Sequence, residues 1–513
     1  MSAGVWLLDL DAGQIWRFGT REVTWDGHAY AAGLDVPDPE DALALHATEP
    51  TERSVPLTIW IDQSPDLDPD TSLEAVLLGA TGTLRWWSDP DSGDPVTWMV
   101  GDLDEPEYGG RSEPITFSLR EMPWDDRGQL PALRARVALA TWPVFDPDIH
   151  WERYPIVIGR PGVDQAGTPA LLVDAAADVV LISDGAVAAA TVTLVVNGVG
   201  YAGVAVVETT DGLGRRVSTC DTTAVPLNLV DGDEVWVRWG ASAGGILDPA
   251  DPTRALRGAG GVVEYLLRRS TLRVDWGRIR AVRERLDPYL IDGYIQPAPG
   301  ERVQPWGWLS EHVLPLLPVS VRTGPDGLYL AVFEPTTPIG QVRAVMEEGR
   351  NCTRISPVTV LGTSDIANDL SLAYAPRASN DKPTEIATLT GSQDTLDDDS
   401  TAIDSGICRE SVRRFGARPW AAKTAVVYDR ATAVRVLRHR AALRALPPRE
   451  VTYVLDVADA EGLEPGDPVS LADAELGWPA RVAHVWAIRW IGATREVTLR
   501  LYAMPGRDYS TEV

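Results

Sequence analysis

The sequence predicts a mainly β, multi-domain protein with some α: antiparallel β-barrel or β-sandwich domains joined by short helices. Three observations predict it. At 513 residues the chain is too long for one core, and about three or four domains are expected. Its 39 Pro and 45 Gly are spread from end to end, which suits many turns between short strands rather than a helical bundle. Apolar residues alternate in the strand period through most of the chain, with helical spacing confined to a few stretches.

Residues 1–125 read as an antiparallel β domain. "VWLLDLDAGQIWRFG" is two apolar runs around Asp-Ala-Gly, and "REVTWDGHAYAAGL" repeats the device around Asp26-Gly27, both hairpin signatures. "SVPLTIWID", "TGTLRWWSD" and "DPVTWMVGDLDEPEYGGRSEPITFSLRE" supply further strands. "DTSLEAVLLGA" predicts a short helix capped by Asp70 or Thr71. Residues 126–150 lack sustained periodicity and read as a connector. Residues 151–250 shift to Ala, Val, Thr and Gly, with "SDG", "NGVG" and "TDGLG" as turns between short strands; they predict an inserted small β-sandwich or barrel.

Residues 251–345 predict helices plus a β-hairpin. The helices are "GVVEYLLRRS", "DWGRIRAVRERLDPYL" and "PWGWLSEHVLPLLP", and the hairpin is "VSVRTGPDGLYLAVFEP" across Gly324–Gly327. Residues 346–425 predict a β domain with the strands "NCTRISPVTVLGT" and "DIANDLSLAYAPRA" and an acidic loop, "TGSQDTLDDDSTAIDSG". Residues 426–513 predict a C-terminal helix, "DRATAVRVLRHRAALRALPPRE", ended by Pro447-Pro448, followed by a β-barrel. Within it, Pro465–Asp467 of "EPGDPV" reads as a type I or II turn with Pro leading.

Composition excludes several functions. The net charge of −28 disfavours sequence-independent binding of nucleic acid and of anionic membranes. Cys220, Cys352 and Cys408 are odd in number and far apart, which argues against a disulfide framework or a Cys-based zinc site. No apolar run approaches the ~18 residues that span a bilayer. The N-terminus meets Asp9 and Asp11 early and does not read as a signal peptide, so the expectation is a soluble protein made in a reducing cytoplasm.

No catalytic, cofactor-binding or metal-binding residues are predicted. There is no phosphate loop, nucleophile elbow, His-Glu-x-x-His or Cys/His cluster, and His28, His46, His150, His312, His439 and His484 lie far apart. Asp66, Asp68 and Asp70 have the alternate spacing of a calcium loop without its Gly and Glu, and read as a solvated turn. One basic set, Arg268, Arg269, Arg273, Arg278, Arg280, Arg283 and Arg285, and a smaller one, Arg435, Arg438, Arg440 and Arg444, lie on predicted helices. They bind an acidic partner surface or form helix faces paired with Glu264, Glu284 and Asp287; the sequence leaves both open. Nineteen Trp against five Phe point to interfaces and half-buried sheets. The pairs Trp86-Trp87 and Trp306/Trp308 are read as core or subunit-interface packing, with sugar stacking as the competing role.

The order of parts carries a resemblance. "IWRFGTREVTWDGHAYAAGLDVPDPED" resembles the opening of tail-tip proteins of long-tailed bacteriophages and gene transfer agents. "LPVSVRTGPDGLYLAVFEP", "DIANDLSLAYAPRA", the Ala-rich helix and "LEPGDPVSLADAELGWPARVAHVWAIRWIGATREVTLRLY" together resemble the baseplate hub, or tail-associated hub, of phage tails. The resemblance covers mainly 255–513 and, more weakly, 1–125; residues 151–250 have no counterpart in it.

It implies a virion structural protein with a phage tail hub-like fold, not an enzyme. Such a protein forms a ring, usually a homotrimer, that closes the tail tube. Its partners would be the distal tail protein, the tape-measure protein and central tail fibre proteins, with assembly in the host bacterial cytoplasm. An acidic chain suits a conduit that DNA traverses without adhering. The alternative is a carbohydrate-binding or carbohydrate-active protein that contacts host-surface glycan through 151–250. On the hub reading "EPGDPV" marks the last barrel, and Pro465→Ala is expected to weaken folding or ring assembly without abolishing a reaction.

Overall fold

The fold is described from a computed structural model. It describes residues 4–37, 39–43, 54–60, 80–90, 93–108, 114–121, 126–145, 147–161, 167–222, 225, 227–240, 244–376, 382–491 and 494–502. The helix expected over "DTSLEAVLLGA" and the Asp66, Asp68, Asp70 turn lie outside the described residues, apart from Ala80. Among the described residues strands hold 46% against 17% in helices, so β structure governs the architecture.

The first domain is a nine-stranded sheet. Both predicted hairpins form, Val5–Asp11 with Ile15–Gly19 and Val23–Trp25 with His28–Ala32. Asp26 and Gly27 take φ of 48° and 74°, the pair of positive values that a type I′ turn demands. The sheet continues through Thr81–Trp87, Val96–Tyr108, Ile115–Glu121 and Ser54–Ile59 to Leu34–Asp35. Gly33 then draws its two ends together: its N–H donates to Gly19 O (3.1 Å), and its carbonyl accepts from Trp60 N–H (2.9 Å). Leu8, Phe18, Leu57, Leu84, Met99 and Phe117 fill the resulting interior.

Residues 168–238 make a seven-stranded sheet. Its two edges, Thr168–Pro169 and Leu171–Asp174, are consecutive in the chain, so one run of residues pairs at both ends and wraps the sheet into a barrel. Leu172, Ile182, Leu194, Val237 and Trp239 pack inside it. The preceding segment has little regular structure but does not hang free. Its Ala135 and Val137 join Tyr154, Leu171, Leu181 and Val217 in a small core on the barrel's outer face, where Tyr154 Oη donates to Asp211 (3.0 Å).

The largest core lies in the middle of the chain. Helices Ala259–Leu267 and Trp276–Leu286 and the hairpin Val319–Gly324/Gly327–Val332 form as expected. Asp275 caps the second helix by accepting from Arg278 N–H. The third predicted helix is a correction. Pro305–Trp308 is α-helical for one turn, Leu309–Val313 is a π turn, and Leu314–Leu316 closes as 3₁₀, because Pro315 and Pro318 cannot continue an α ladder. A second correction concerns the acidic loop. Gln393–Asp398 is a short helix, with Asp394 in the first turn where the helix dipole favours negative charge, and Gly406–Phe415 is a further amphipathic helix that buries Ile407 and Cys408. The stretch "NCTRISPVTVLGT" holds only two short strands, Cys352–Arg354 and Thr359–Val360.

The helix Arg430–Arg444, capped by Asp429, packs Val436, Leu437 and Ala441 into this core. The last barrel runs in the order Ala344–Glu347, Pro468–Asp473, Trp478–Ile491, Thr494–Leu501, Arg449–Asp456, Cys352–Arg354. Its edges too are near neighbours in sequence, joined by a turn in which Asn351 Nδ2 donates to Val345 O (2.9 Å) and Asn351 Oδ1 accepts from Glu347 N–H (2.8 Å). An additional strand comes from far away: Glu40–Ala42 pairs antiparallel with Ala487–Arg489.

Candidate functional site

A polar network surrounds the turn Glu464–Asp467. Asp467 N–H donates to Glu464 O (3.0 Å), Gly466 has φ +101°, and Pro465 leads, which is a type II turn. Gly466 N–H donates to Val485 O and Val485 N–H to Asp467 O, tying the turn to the long strand Trp478–Ile491.

Around the turn four parts of the chain converge. Arg322, from the hairpin, is 5% exposed; its guanidinium donates to the Pro465 carbonyl (2.5 Å) and pairs with Asp41, which is 9% exposed. Arg278, from the helix Trp276–Leu286, makes a bidentate pair with Glu464, both contacts at 2.7 Å. Tyr329 lies beneath both cations, 4.2 Å from the Arg278 guanidinium and 5.9 Å from that of Arg322, and its hydroxyl donates to Glu464 (3.3 Å). Next to Arg322, Thr323 donates to Glu121 at the end of a first-barrel strand. The site therefore joins the first barrel, the Glu40–Ala42 strand, the central hairpin and helix, and the last barrel.

Its electrostatics follow from burial and pairing. Burial pushes the Glu464 carboxyl up, and Arg278 more than reverses this, so the group titrates below the ordinary carboxylate range. Burial raises the Asp467 carboxyl, and the neighbouring Glu464 charge raises it further. Burial disfavours the Arg322 cation, yet Asp41, Tyr329 and Glu464 hold its proton more tightly than usual. Each carboxylate of the pairs faces a guanidinium or a backbone N–H, an arrangement that fixes geometry.

A second link joins the same barrels through aromatic rings. Trp98 of the first barrel meets Trp490 of the last edge to face at 5.6 Å, and Arg495 lies 4.8 Å from the Trp86 ring and 5.2 Å from that of Trp490. Trp87, Trp306 and Trp308 are 6%, 8% and 7% exposed, so they are packed side chains with no ring face open to a sugar.

Most of the predicted basic set is consumed internally. Arg268 and Arg283 pair with Glu264 (2.6 and 2.9 Å), Arg283 also with Asp248 (2.7 Å), and Arg440 donates to Pro315 O (2.7 Å). Asp287 pairs with Arg283 at 3.6 Å. Among the described residues, no three His, Cys, Asp or Glu side chains gather as a metal site would require. His28 and His150 are exposed while His484 is buried, and His46 lies outside the described residues. Burial pushes the thiols of Cys220 and Cys352 up to about 12 and that of Cys408 up to about 11, which leaves them protonated and inert near neutrality. A cavity of about 670 Å³ is lined by Asp126, Gln129, Arg302, Trp308, Glu311 and His312. Asp126 in its wall is occupied, accepting from the N–H groups of Gly128, Thr271 and Trp306.

No protein-family model matches the sequence, and no curated protein does. Among solved structures the chain is similar to a tail protein from Neisseria meningitidis (12% identity, 96% of each chain covered, TM-score 0.38). It is also similar to the 43 kDa tail protein of prophage MuSo2 from Shewanella oneidensis (11% identity, 96% of this chain and 98% of that one, TM-score 0.38). A chain of a native gene transfer agent virion matches at 21% identity over 47% of this chain and 80% of that one, with a TM-score of 0.18. Superpositions this loose assign neither a fold nor a function. No helix among the described residues is long and apolar enough to cross a membrane.

Proposed function

We propose that the chain is a structural hub of a phage-type tail tip or baseplate: a virion component, not an enzyme, of which several copies form a ring that closes the tail tube. The observation that carries this reading is the junction at Arg322. The two terminal segments that carry the sequence resemblance fold into barrels, and the strand Glu40–Ala42 from one completes the other, locked by Arg322 and Asp41. A subunit that must resist strain along a tail is served by barrels joined in this way, since shearing them apart strips strand pairing and a buried ion pair together.

On this reading the ring contacts the distal tail and tape-measure proteins, anchors central fibre proteins and lines part of the DNA exit conduit, for which a net charge of −28 is suitable. Copies would be made and assembled in the host bacterial cytoplasm, as a homotrimer in the simplest case. A weak contact with host-surface glycan would fall to the inserted module, residues 151–250. Electron cryomicroscopy of the particle's tail end tests the proposal: the chain should appear there in a closed ring. A chain absent from the particle, or a purified monomer that cleaves or retains polysaccharide, overturns it.

A further inference from the structure

The sheet that packs against the helix Arg430–Arg444 has four strands, in the order Ile403–Asp404, Pro383–Thr390, Asp369–Pro376, Pro419–Lys423. Both outer strands are short, and each leaves an open edge. At one end Asp369 N–H donates to Arg418 O (3.2 Å) and Thr424 N–H to Ala373 O (2.9 Å), so Trp420 and Ala422 turn their peptide groups inward. The carbonyls of Pro419 and Ala421 and the N–H groups of Ala421 and Lys423 therefore point away from the sheet, and these three residues are exposed. Among the described residues none of these outward groups has a partner.

At the other end Ser405 N–H donates to Thr390 O (2.9 Å), which turns Ile403 and Ser405 inward and leaves the Asp404 peptide groups and Ala402 O facing out. Gly406 opens the helix Gly406–Phe415, and the Ser405 side chain does not cap it, so the Gly406 N–H is an orphan of the first turn. Asp404 and Gly406 are exposed, and a Cβ added to Gly406 would meet nothing.

The two edges fit each other. The central strands are antiparallel and each outer strand is parallel to its neighbour, so the edges run in opposite directions. A second copy that continues the sheet sets them antiparallel. With Asp404 opposite Ala421 these residues exchange both bonds, Lys423 N–H reaches Ala402 O, and Gly406 N–H reaches Pro419 O. Of the groups left over, Pro419 has no N–H, the Gly406 carbonyl is used inside its helix, and Ala402 N–H already donates to Asp399 O (3.0 Å). The Lys423 carbonyl alone keeps to solvent.

The edges are also opposite in charge. Residues 411–428 hold Arg413, Arg414, Arg418 and Lys423 and no acid, while residues 394–404 hold five Asp and no cation. Pairs within the chain reduce the contrast without reversing it: Glu410 takes Arg413 and Arg414, Arg409 takes Asp404, and Arg430 donates to Thr401 O. Two Pro419–Lys423 edges paired with each other would instead gather both copies of Arg418 and Lys423 with no acid between them.

We infer that the Pro419–Lys423 edge of one copy receives the Ala402–Gly406 edge of the next, so that the sheet runs on from copy to copy. The contact joins two different edges of one chain, and such contacts repeat into a ring when the rotation closes. The inference rests on the tail-tip reading for the need of several copies.

Sedimentation velocity of the full-length chain tests it, and the wild type should associate as concentration rises. Ala421→Pro deletes an outward N–H on an edge strand, where proline is tolerated, and should weaken association at least about tenfold. Lys423→Glu and Asp404→Lys, both at exposed positions, should each do the same. A mixture of these two variants should recover association, because each supplies the edge that the other lacks. Val199→Asp on the inserted barrel should change nothing. Thermal melts separate lost association from lost folding, and recovery in the mixture shows that both partners are folded. A wild type that stays monomeric, variants that associate like it, or a mixture that recovers nothing overturns the inference. So does a wild type that stays monomeric while this edge binds an acidic peptide of another protein. A closed ring at the particle's tail end leaves the tail-tip reading standing in each of these cases, and a chain absent from the particle removes that reading separately.

Discussion

Arg322 pairs with Asp41 across a sequence separation of 281 residues, and both groups are buried. The guanidinium also holds the Pro465 carbonyl, so one cation ties a strand that leaves the first barrel between Leu34–Asp35 and Ser54–Ile59 to a turn of the last. Arg322→Met should cost about 3–5 kcal/mol, chiefly because the Asp41 carboxylate is left buried without a partner. The double variant Asp41→Leu/Arg322→Met should lose less than Arg322→Met alone. Urea denaturation of the wild type, both single variants and the double variant closes the cycle; additive losses would mean the pair is not coupled.

Gly466 sits at φ +101° with room beside it, the nearest atom to an added Cβ being a Leu43 methyl at 3.5 Å. Strain in the backbone, not crowding, sets the cost of Gly466→Ala, about 1–2 kcal/mol. Pro465→Ala keeps the carbonyl that Arg322 needs and should cost less, about 0.5–1 kcal/mol, by loosening the unfolded chain. Melting temperatures of the two variants should rank in that order.

His484 is 1% exposed, and burial pushes its imidazole down from 6.5 to about 4. Between those values the unfolded chain takes up a proton that the folded chain refuses, so stability falls as pH drops from about 6.5 towards 4. At about 1.4 kcal/mol per pH unit the loss reaches about 3 kcal/mol. His484→Gln should flatten the decline of stability over this range, measured by urea midpoints against pH; an unchanged slope would contradict the assignment.

Asp467 has the opposite dependence. Its folded carboxyl is raised by burial, so its contribution is fully present below the ordinary aspartate range and is lost as pH rises through the raised value. Asp467→Asn keeps an oxygen to accept from Glu464 N–H and removes the buried charge. The variant should be more stable than the wild type near pH 7, with the advantage vanishing in acid, as thermal melts at the two pH values would reveal.

Local chemistry was legible where it acts alone. Asp26-Gly27 and the Pro447-Pro448 stop each determine a turn or an end without outside help. What depended on distant partners was not. In "VSVRTGPDG" the polar Ser320 and Arg322 alternate with Val319 and Val321, which reads as a strand with one wet face, yet all four are buried because the hairpin lies between other parts. Arg322 carries no sequence signal of its role, since Asp41 and Pro465 are set beside it only by the tertiary fold. The helix Gly406–Phe415 was hidden by the polar run before it, its apolar face being only a few residues wide.

The pairing of Glu40–Ala42 with Ala487–Arg489 also sets a clock on synthesis. The strand leaves the ribosome about 445 residues before its partner. At about 5–20 residues per second the early strand waits on the order of tens of seconds for the sheet it completes. For the first 281 residues of that interval Asp41 has no Arg322 to neutralise it, and throughout it the last barrel is incomplete. A nascent chain is therefore unable to present the finished junction to its neighbours until the strands of the last barrel have been made.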